Sequence, residues 1–580
     1  MKLRAKPYLH CAPLPDGVYF SGARTEFTIR GWDQLFKIAD VCVPMLEDGA
    51  SEDALVSALG SERARPVVRR IVQGLREHGM LLEPERWTAP EPSADVRERY
   101  AGPLAHLESV SADPYAAFAR VRAATVVVFG PEQVVRPATR GLTRAGVGRV
   151  IAPGTASWDP SVVAGADAVI WCAAPGEGDE RTRLLPDPRP GGPTDVAPVV
   201  PVWLDDRLLL AGPVLGSAVP GADVYGPETF IGLRNRALAW ADAEGVSAAA
   251  RPVADALAGA LAAQLVFETL TGSTDSGAVH VVHGAELRSD RIAVEASGPA
   301  DGAGSSLPGP ADGVPAPGPE EAVELARTLT QEWTGLFRRS ADEDALPQMP
   351  LALRELTCVA RNTGTVTVWA ADQQAATLAV SLEALRRSCT GEGTAAAGLS
   401  EEQWLLDGAL RLLADEAAES DVAAGEIMAA ETLRLRKILR ELRPDADSVR
   451  LFHVPGVDWH LGTVEAASTG EVLGRAWAAD ADGAVRDAIS TALARAQVAA
   501  FDSDRTVPVM CTNALMLADA TALATLRAQL GAAADIRGIT YRGRPQRVDP
   551  VFGHVPFWHG PIQARPAQTR PLAQEATDAR

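Results

Sequence analysis

Apolar spacing along the chain changes several times, and each change marks an element. Residues 7–11, 17–20 and 25–30 read as short strands, separated by turn material at Pro15-Asp16-Gly17 and Ser21-Gly22. Three helices are predicted next. The first covers about 32–46. The second covers 52–59, with Ser51 as its cap and the Glu52-Asp53 pair suited to a helix N-terminus. The third covers 66–78, with Pro66 in its first turn and Gly79 as its stop. Val68, Ile71, Val72 and Leu75 recur along it at helical spacing.

Three strands and three helices in so short a span predict a winged helix over 1–87. Residues 88–122 carry prolines and charges, and read as a connector with one helix. The pattern then switches to uninterrupted apolar runs. Residues 124–130 read as a buried parallel strand ending at Gly130, followed by a helix over 134–145 and strands at 146–151, 166–172 and 199–204. An alanine-rich helix covers 251–270, and a hairpin pairs 279–286 with 291–295. This alternation predicts a doubly wound, Rossmann-like domain over 123–295. Residues 296–319 are rich in Gly, Pro, Ala and Ser and read as a flexible linker. The remainder, 320–580, is again mixed α/β. It contains an internal repeat: Trp369-Ala370-Ala371-Asp372 precedes a helix over 373–387, and Trp477-Ala478-Ala479-Asp480 precedes a helix over 481–495. The expected class is a multidomain α/β protein.

Composition narrows the chemistry. The net charge of −20, from 55 basic and 75 acidic residues, argues against a general binder of nucleic acid or anionic membrane. Lysine stands only at positions 2, 6, 37 and 437, so no P-loop or catalytic lysine lies between Lys37 and Lys437. Cys11, Cys42, Cys172, Cys358, Cys389 and Cys511 form no Cys-x-x-Cys pair; no metal site is expected, and the scatter fits a reducing cytoplasm. No run approaches 18 consecutive apolar residues and the N-terminus has no secretory pattern, so neither a membrane span nor a signal peptide is expected.

At Gly130-Pro131-Glu132 only one glycine remains of a phosphate-binding turn, Pro131 removes an amide donor, and Glu132 puts a carboxylate where a phosphate would sit. No cofactor is expected there. His280 and His283 lie three apart on a strand and point to opposite faces, so they do not chelate one metal. The 414–420 run reads as a solvated helix end, and 555–559 as a docking segment or core edge. No catalytic residue is assigned.

Several motifs nonetheless carry a family resemblance. Val126-Val127-Val128-Phe129-Gly130 followed by Ala145-Gly146-Val147-Gly148 resembles the opening of the ThiF-like adenylation fold. Leu210-Ala211-Gly212-Pro213 and Val219-Pro220-Gly221 resemble that family's Gly-Pro and Pro-Gly segment, with Ala222-Asp223-Val224 where zinc cysteines are usual. A winged helix ahead of such a domain resembles the PqqD-like leader-peptide recognition element of azoline-forming complexes. Residues 1–82 hold 11 Lys/Arg and 10 Asp/Glu, a neutral balance unlike a DNA reader. The resemblance implies that a leader peptide adds to the third strand, at Thr25, Glu26, Phe27, Thr28, Ile29 and Arg30. It also implies contact with the third helix at Val68, Arg69, Ile71, Val72 and Leu75. The apolar members of that set also suit a small core. Residues 369–387 resemble a YcaO domain, in which Glu383 matches a magnesium–ATP glutamate and Arg386 replaces the next one; a single such glutamate reads as a solvated helix residue.

These resemblances imply a non-catalytic, cytoplasmic partner of a YcaO cyclodehydratase in thiazole/oxazole (thiopeptide-type) peptide modification. Its partners would be the precursor leader, the YcaO enzyme, an azoline dehydrogenase and a second copy of the chain, with no nucleic acid or membrane. The alternatives are an active ATP-dependent YcaO fusion and a winged-helix transcription regulator.

Overall fold

The computed structural model describes residues 2–32, 34–154, 159–172, 197–216, 225–273, 277–296, 305–307, 315–359, 364–420 and 424–567. They form a mixed α/β, multidomain fold that divides into two compact units. The first comprises Met1–Ile231 and Val246–Val294, the second Gly232–Gly245 and Glu295–Arg580.

The first unit opens with an antiparallel sheet of three strands, His10–Leu14, Gly17–Ser21 and Glu26–Arg30, in that order. The first strand begins three residues later than its composition predicts. Tyr8 adopts φ 66° just before it, and a left-handed residue interrupts an extended run. Helices Leu35–Asp48, Glu52–Ala58 and Arg65–Glu77 follow. Ser51 Oγ accepts the Ala54 amide at 3.2 Å, capping the second. Leu9, Val18, Phe20, Ile29, Leu35, Leu46, Val68, Ile71 and Leu75 build one core.

The stretch expected to hold one connecting helix holds three: Ala94–Arg99, Ala101–Val110 and Pro114–Ala123. The last is capped by Asp113, whose carboxylate accepts the Ala116 amide at 3.1 Å. They bring Tyr100, Leu104, Leu107, Tyr115 and Phe118 to the core of a seven-stranded sheet. Its order is Arg288–Ala293, Ala278–His283, Leu208–Ala211, Val199–Leu204, Ala168–Cys172, Thr125–Phe129, Arg149–Ile151. The last four strands are mutually parallel and the first three antiparallel. Thr125–Phe129 and Ala168–Cys172 are almost wholly buried, which is why their apolar runs are uninterrupted. Helices Glu132–Ala145 and Val253–Thr271 cross closely: a Cβ on Gly259 would lie 2.3 Å from the Val134 carbonyl oxygen. Val253–Thr271 is long and apolar enough to cross a bilayer, yet much of it packs in this core. The strand Leu208–Ala211 and the helix Pro227–Ala243 are not among the elements that the apolar spacing predicts.

In the second unit the repeat is a recurring pair of antiparallel strands and a helix. Ala352–Cys358 and Thr365–Ala370 precede helix Gln373–Ser388, and Val457–Glu465 and Val472–Ala478 precede helix Ala481–Phe501. Asp372 and Asp480 are both N-caps, accepting the Ala375 amide at 2.9 Å and the Gly483 amide at 2.7 Å. Each Trp-Ala-Ala-Asp therefore ends a strand and starts a helix. A four-stranded sheet, in the order Ser306–Leu307, Ile539–Gly543, Trp558–Pro566, Thr394–Gly398, completes the unit with a five-stranded, a three-stranded and a two-stranded sheet. Within the stretch expected as a linker, Ser306–Leu307 form a short strand, and Leu307 is fully buried opposite Tyr541. Most of 296–319 lies outside the described residues. The 414–420 run is a turn and the strand Ala418–Glu419 rather than a helix end, because the helix stops at Leu413. Within 555–559, Val555, Phe557 and His559 are buried, so this segment belongs to the core.

Candidate functional site

Strand Glu26–Arg30 is the outer strand of its sheet. Its hairpin turn closes with the Gly22 amide donating to the Thr25 carbonyl at 2.9 Å, and at the far end the Gly31 amide donates to the Asp16 carbonyl at 2.7 Å. Antiparallel pairs alternate between bonded and non-bonded, so the bonded positions between these ends are Phe27 and Ile29. The backbone groups of Glu26, Thr28 and Arg30 therefore point away from the sheet. Among the described residues, nothing pairs with them.

The C-terminal half of helix Arg65–Glu77 lies beside this strand. A Cβ on Gly74 would come within 2.7 Å of the Phe27 ring and 3.6 Å of the Ile29 side chain. Gly74 is thus the position that lets helix and strand approach. Phe27 is sandwiched between Phe20, at 4.9 Å between ring centroids, and His78, at 4.2 Å. Thr25 Oγ1 donates to the His78 carbonyl at 2.7 Å. Helical spacing places Val67, Arg70, Gly74 and His78 along one flank of the helix. Beyond the hairpin turn is a small cavity of about 190 Å³, lined by Lys6, Leu9, Thr25, His78, Met80 and Val110 among others.

The strand residues of the expected site are thus gathered on an open edge. Glu26, Thr28 and Arg30 are exposed; Arg30 pairs with Asp16 at 2.8 Å and Glu26 accepts from the Tyr19 hydroxyl. On the helix, Val68, Ile71, Val72 and Leu75 are buried in the domain core. They face inward because the amphipathic stripe that marks them in the sequence is the one the small core needs. Arg69 is held by Glu52 at 2.7 Å. The helix residues next to the strand are instead Gly74 and His78. A glycine inside an otherwise good helix was the available signal for close approach.

At the second candidate, Gly130 has φ 143° and a Cβ there would lie 2.7 Å from Cys172 Cβ. Its glycine is explained by that packing. Pro131 is the N-cap of helix Glu132–Ala145 without a side-chain cap, and Glu132 occupies the first turn. Residues 219–224, the other part of the ThiF resemblance, lie outside the described residues. His280 and His283 are both buried; burial lowers the His280 pKa, and His283 meets Asp290 at 3.0 Å.

Glu383 corrects its reading as a solvated helix residue. It is buried and accepts from Arg386 Nη1 at 2.8 Å. Arg386 Nε reaches Asp407 at 2.8 Å, and its Nη2 donates to Thr512 Oγ1 at 3.1 Å. Asp407 also meets Arg411 Nε at 3.0 Å and accepts the Ala397 amide at 3.0 Å. Burial pushes the Asp407 carboxyl up, but the charges of Arg386 and Arg411 outweigh it and hold it below its ordinary value. This set does not fit a divalent cation, because its carboxylates are already occupied by guanidinium groups. Thr491, at the Glu383 position of the second repeat, accepts a bond from Trp369 Nε1 at 3.0 Å.

The sequence matches no protein-family model and no curated protein. Similarity appears in solved structures. A heterocyclase in complex with substrate and cofactor is similar in fold at a TM-score of 0.56 and 13% identity, over 98% of this chain and 95% of its own. The heterocyclase TruD matches at a TM-score of 0.48 and 14% identity, over 97% and 94%. E. coli MccB with MccA-N7isoASN covers 51% of this chain and 98% of its own, at a TM-score of 0.36 and 13% identity.

Proposed function

We propose that this chain captures a ribosomal precursor peptide by its leader and presents it to a separate YcaO cyclodehydratase for azoline formation, with no catalytic chemistry of its own. In this reading, 1–87 is a PqqD-like winged helix and 88–122 a connector. Residues 123–295 are a ThiF-like, Rossmann-type domain without its nucleotide site, 296–319 a linker, and 320–580 a YcaO-like domain without activity. The observation that carries the reading is the open edge of Glu26–Arg30, beside a helix that Gly74 lets approach. An extended peptide can add there as a fourth strand. Main-chain bonds to Glu26, Thr28 and Arg30 supply affinity, and the flank around Gly74 and His78 supplies side-chain contacts. Holding the leader raises the effective concentration of the peptide's reactive residues at the partner enzyme. Arg386, inserted between Glu383 and Asp407, supports the loss of magnesium–ATP chemistry. The whole-chain likeness to a heterocyclase fold supports membership in this kind of complex.

Thr28→Pro tests the reading. The Thr28 amide points outward, so the change leaves the bonds to Gly17–Ser21 in place and removes one donor from the edge. One such bond is worth about 0.5–1.5 kcal/mol, so the Kd for a labelled leader of a candidate precursor peptide should rise roughly two- to tenfold. Circular dichroism should be unchanged. A folded Thr28→Pro protein with unaltered anisotropy titration overturns the site. Magnesium-dependent ATP hydrolysis by the chain alone would instead favour an active cyclodehydratase.

A further inference from the structure

The second unit contains an open groove of about 1110 Å³ outside every site described so far. Phe337 and Val555, of one buried core, form part of its lining, and it lies on the face of the four-stranded sheet opposite the core around Trp404. Tyr541 and Ile562 point into that core and are fully buried. Alternate residues point the other way. In register, Arg542 stands opposite Gln563, and Thr540 opposite Arg565, so Arg542, Gln563 and Arg565 share the outer face. Arg544 follows two residues after Arg542 and also lines the groove.

Charge is what distinguishes this surface. Its walls carry four arginines and two carboxylates in a chain of net charge −20. One pair cancels: Arg236 binds Asp549 through two bonds, at 3.1 and 2.6 Å. Arg565 donates to the neutral Gln563 side chain, at 2.9 and 2.7 Å. Among the described residues, no carboxylate pairs with Arg542, Arg544 or Arg565. The one remaining acid, Glu392, contributes its backbone carbonyl, which accepts from Gln563 Nε2 at 2.7 Å.

The spacing selects the ligand. Two residues along a strand span about 7 Å, and diagonal neighbours across a sheet are about 7–8 Å apart. The three guanidinium groups thus arise from separated, exposed positions on an open surface. A compact phosphate site needs donors converging on one point, usually with backbone amides at a helix start. An extended peptide with carboxylates at alternate positions repeats at the same 7 Å or so, and each carboxylate accepts two parallel bonds from an arginine. We infer that this groove binds an extended acidic peptide segment through Arg542, Arg544 and Arg565. The inference is independent of the leader reading, because it concerns a different surface.

The test uses the full chain and a fluorescein-labelled, eight-residue peptide alternating Glu and Ser. Its affinity should fall steeply with salt, and Arg542→Gln with Arg544→Gln should weaken it about tenfold, as two partly exposed ion pairs permit. Arg565→Gln should weaken it about threefold. Thr28→Pro should leave it unchanged. Four results overturn the inference: no binding by the wild-type chain at 1 mM peptide; equal binding of the Gln-for-Glu peptide; unchanged affinity in the folded double variant; or displacement by tripolyphosphate well below the peptide's own Kd, which assigns the groove to phosphates.

Discussion

Arg386→Ala removes the centre of the buried charge cluster, and the structure sets the size of the effect. The side chain of Arg386 is 10% exposed and that of Asp407 0%. Without the guanidinium, Asp407 keeps Arg411 and the Ala397 amide, while Glu383 keeps only Arg387 at 3.8 Å. Deleting one partner of a buried ion pair costs about 3–5 kcal/mol, because the other charge is left in a poorly solvating site. The second unit, of roughly 300 residues, unfolds with an entropy near 0.6 kcal/mol/K, so its Tm should fall by about 5–8 °C. Calorimetry of the full chain near pH 7 measures this. Arg450→Ala is the comparator: its pair with Glu465 at 2.8 Å involves a 43% exposed arginine and should matter by less than about 1 kcal/mol. The pH dependence has a definite sign. The folded pKa of Asp407 lies below its unfolded value, so its stabilisation is complete above the ordinary carboxylate range and is lost as pH falls through the folded value. The gap between wild type and Arg386→Ala should therefore narrow on acidification. Equal Tm shifts for Arg386→Ala and Arg450→Ala would refute the reasoning.

Three further outcomes are expected. Gly130→Ala should destabilise the first unit by about 1–3 kcal/mol, from its φ of 143° and the 2.7 Å approach to Cys172; urea unfolding followed through the nearby buried Trp171 measures this. Burial raises the Asp487 carboxyl despite Arg486, so the folded state is penalised at neutral pH and relieved as pH falls; Asp487→Asn should raise Tm by about 1–2 °C at pH 7 and lose that advantage in acid. Burial pushes the Cys511 thiol up to about 12, so iodoacetamide at pH 8 should label half-buried Cys358 well before Cys511, as read by peptide mass spectrometry.

What the sequence made legible follows from where each residue's partners lie. Thr125–Phe129, Ala168–Cys172 and Val199–Leu204 announce themselves because burial on both faces leaves no polar interruption. The caps at Ser51, Asp372 and Asp480 are local, so short motifs reveal them. Leu208–Ala211 is too short to separate from loop by period alone. Helix Pro227–Ala243 hides its pattern because Arg236 is buried by Asp549, 313 residues away. Glu383 looked solvated for the same reason: Arg386 is its neighbour on the helix, but the burial comes from Asp407 and Thr512. The strand half of the candidate peptide site came from the family resemblance, and the open edge is visible only once the sheet's pairing is known. The helix half was not, since one apolar stripe serves core and groove alike until Gly74 is seen against Phe27.

The outward row of amides and carbonyls at Glu26, Thr28 and Arg30 also governs how the protein behaves when empty. An unpaired strand is a template for another copy of itself, and crowded chains find such templates. Here the three exposed side chains read acid, hydroxyl, base. An antiparallel second copy would set Glu26 against Arg30 and so be attracted, whereas an in-register parallel copy would stack like charges. The edge therefore tolerates one defined self-association and resists open-ended fibre growth. A peptide that occupies it competes with that pairing, so its arrival would act as a dissociation signal as well as a binding event.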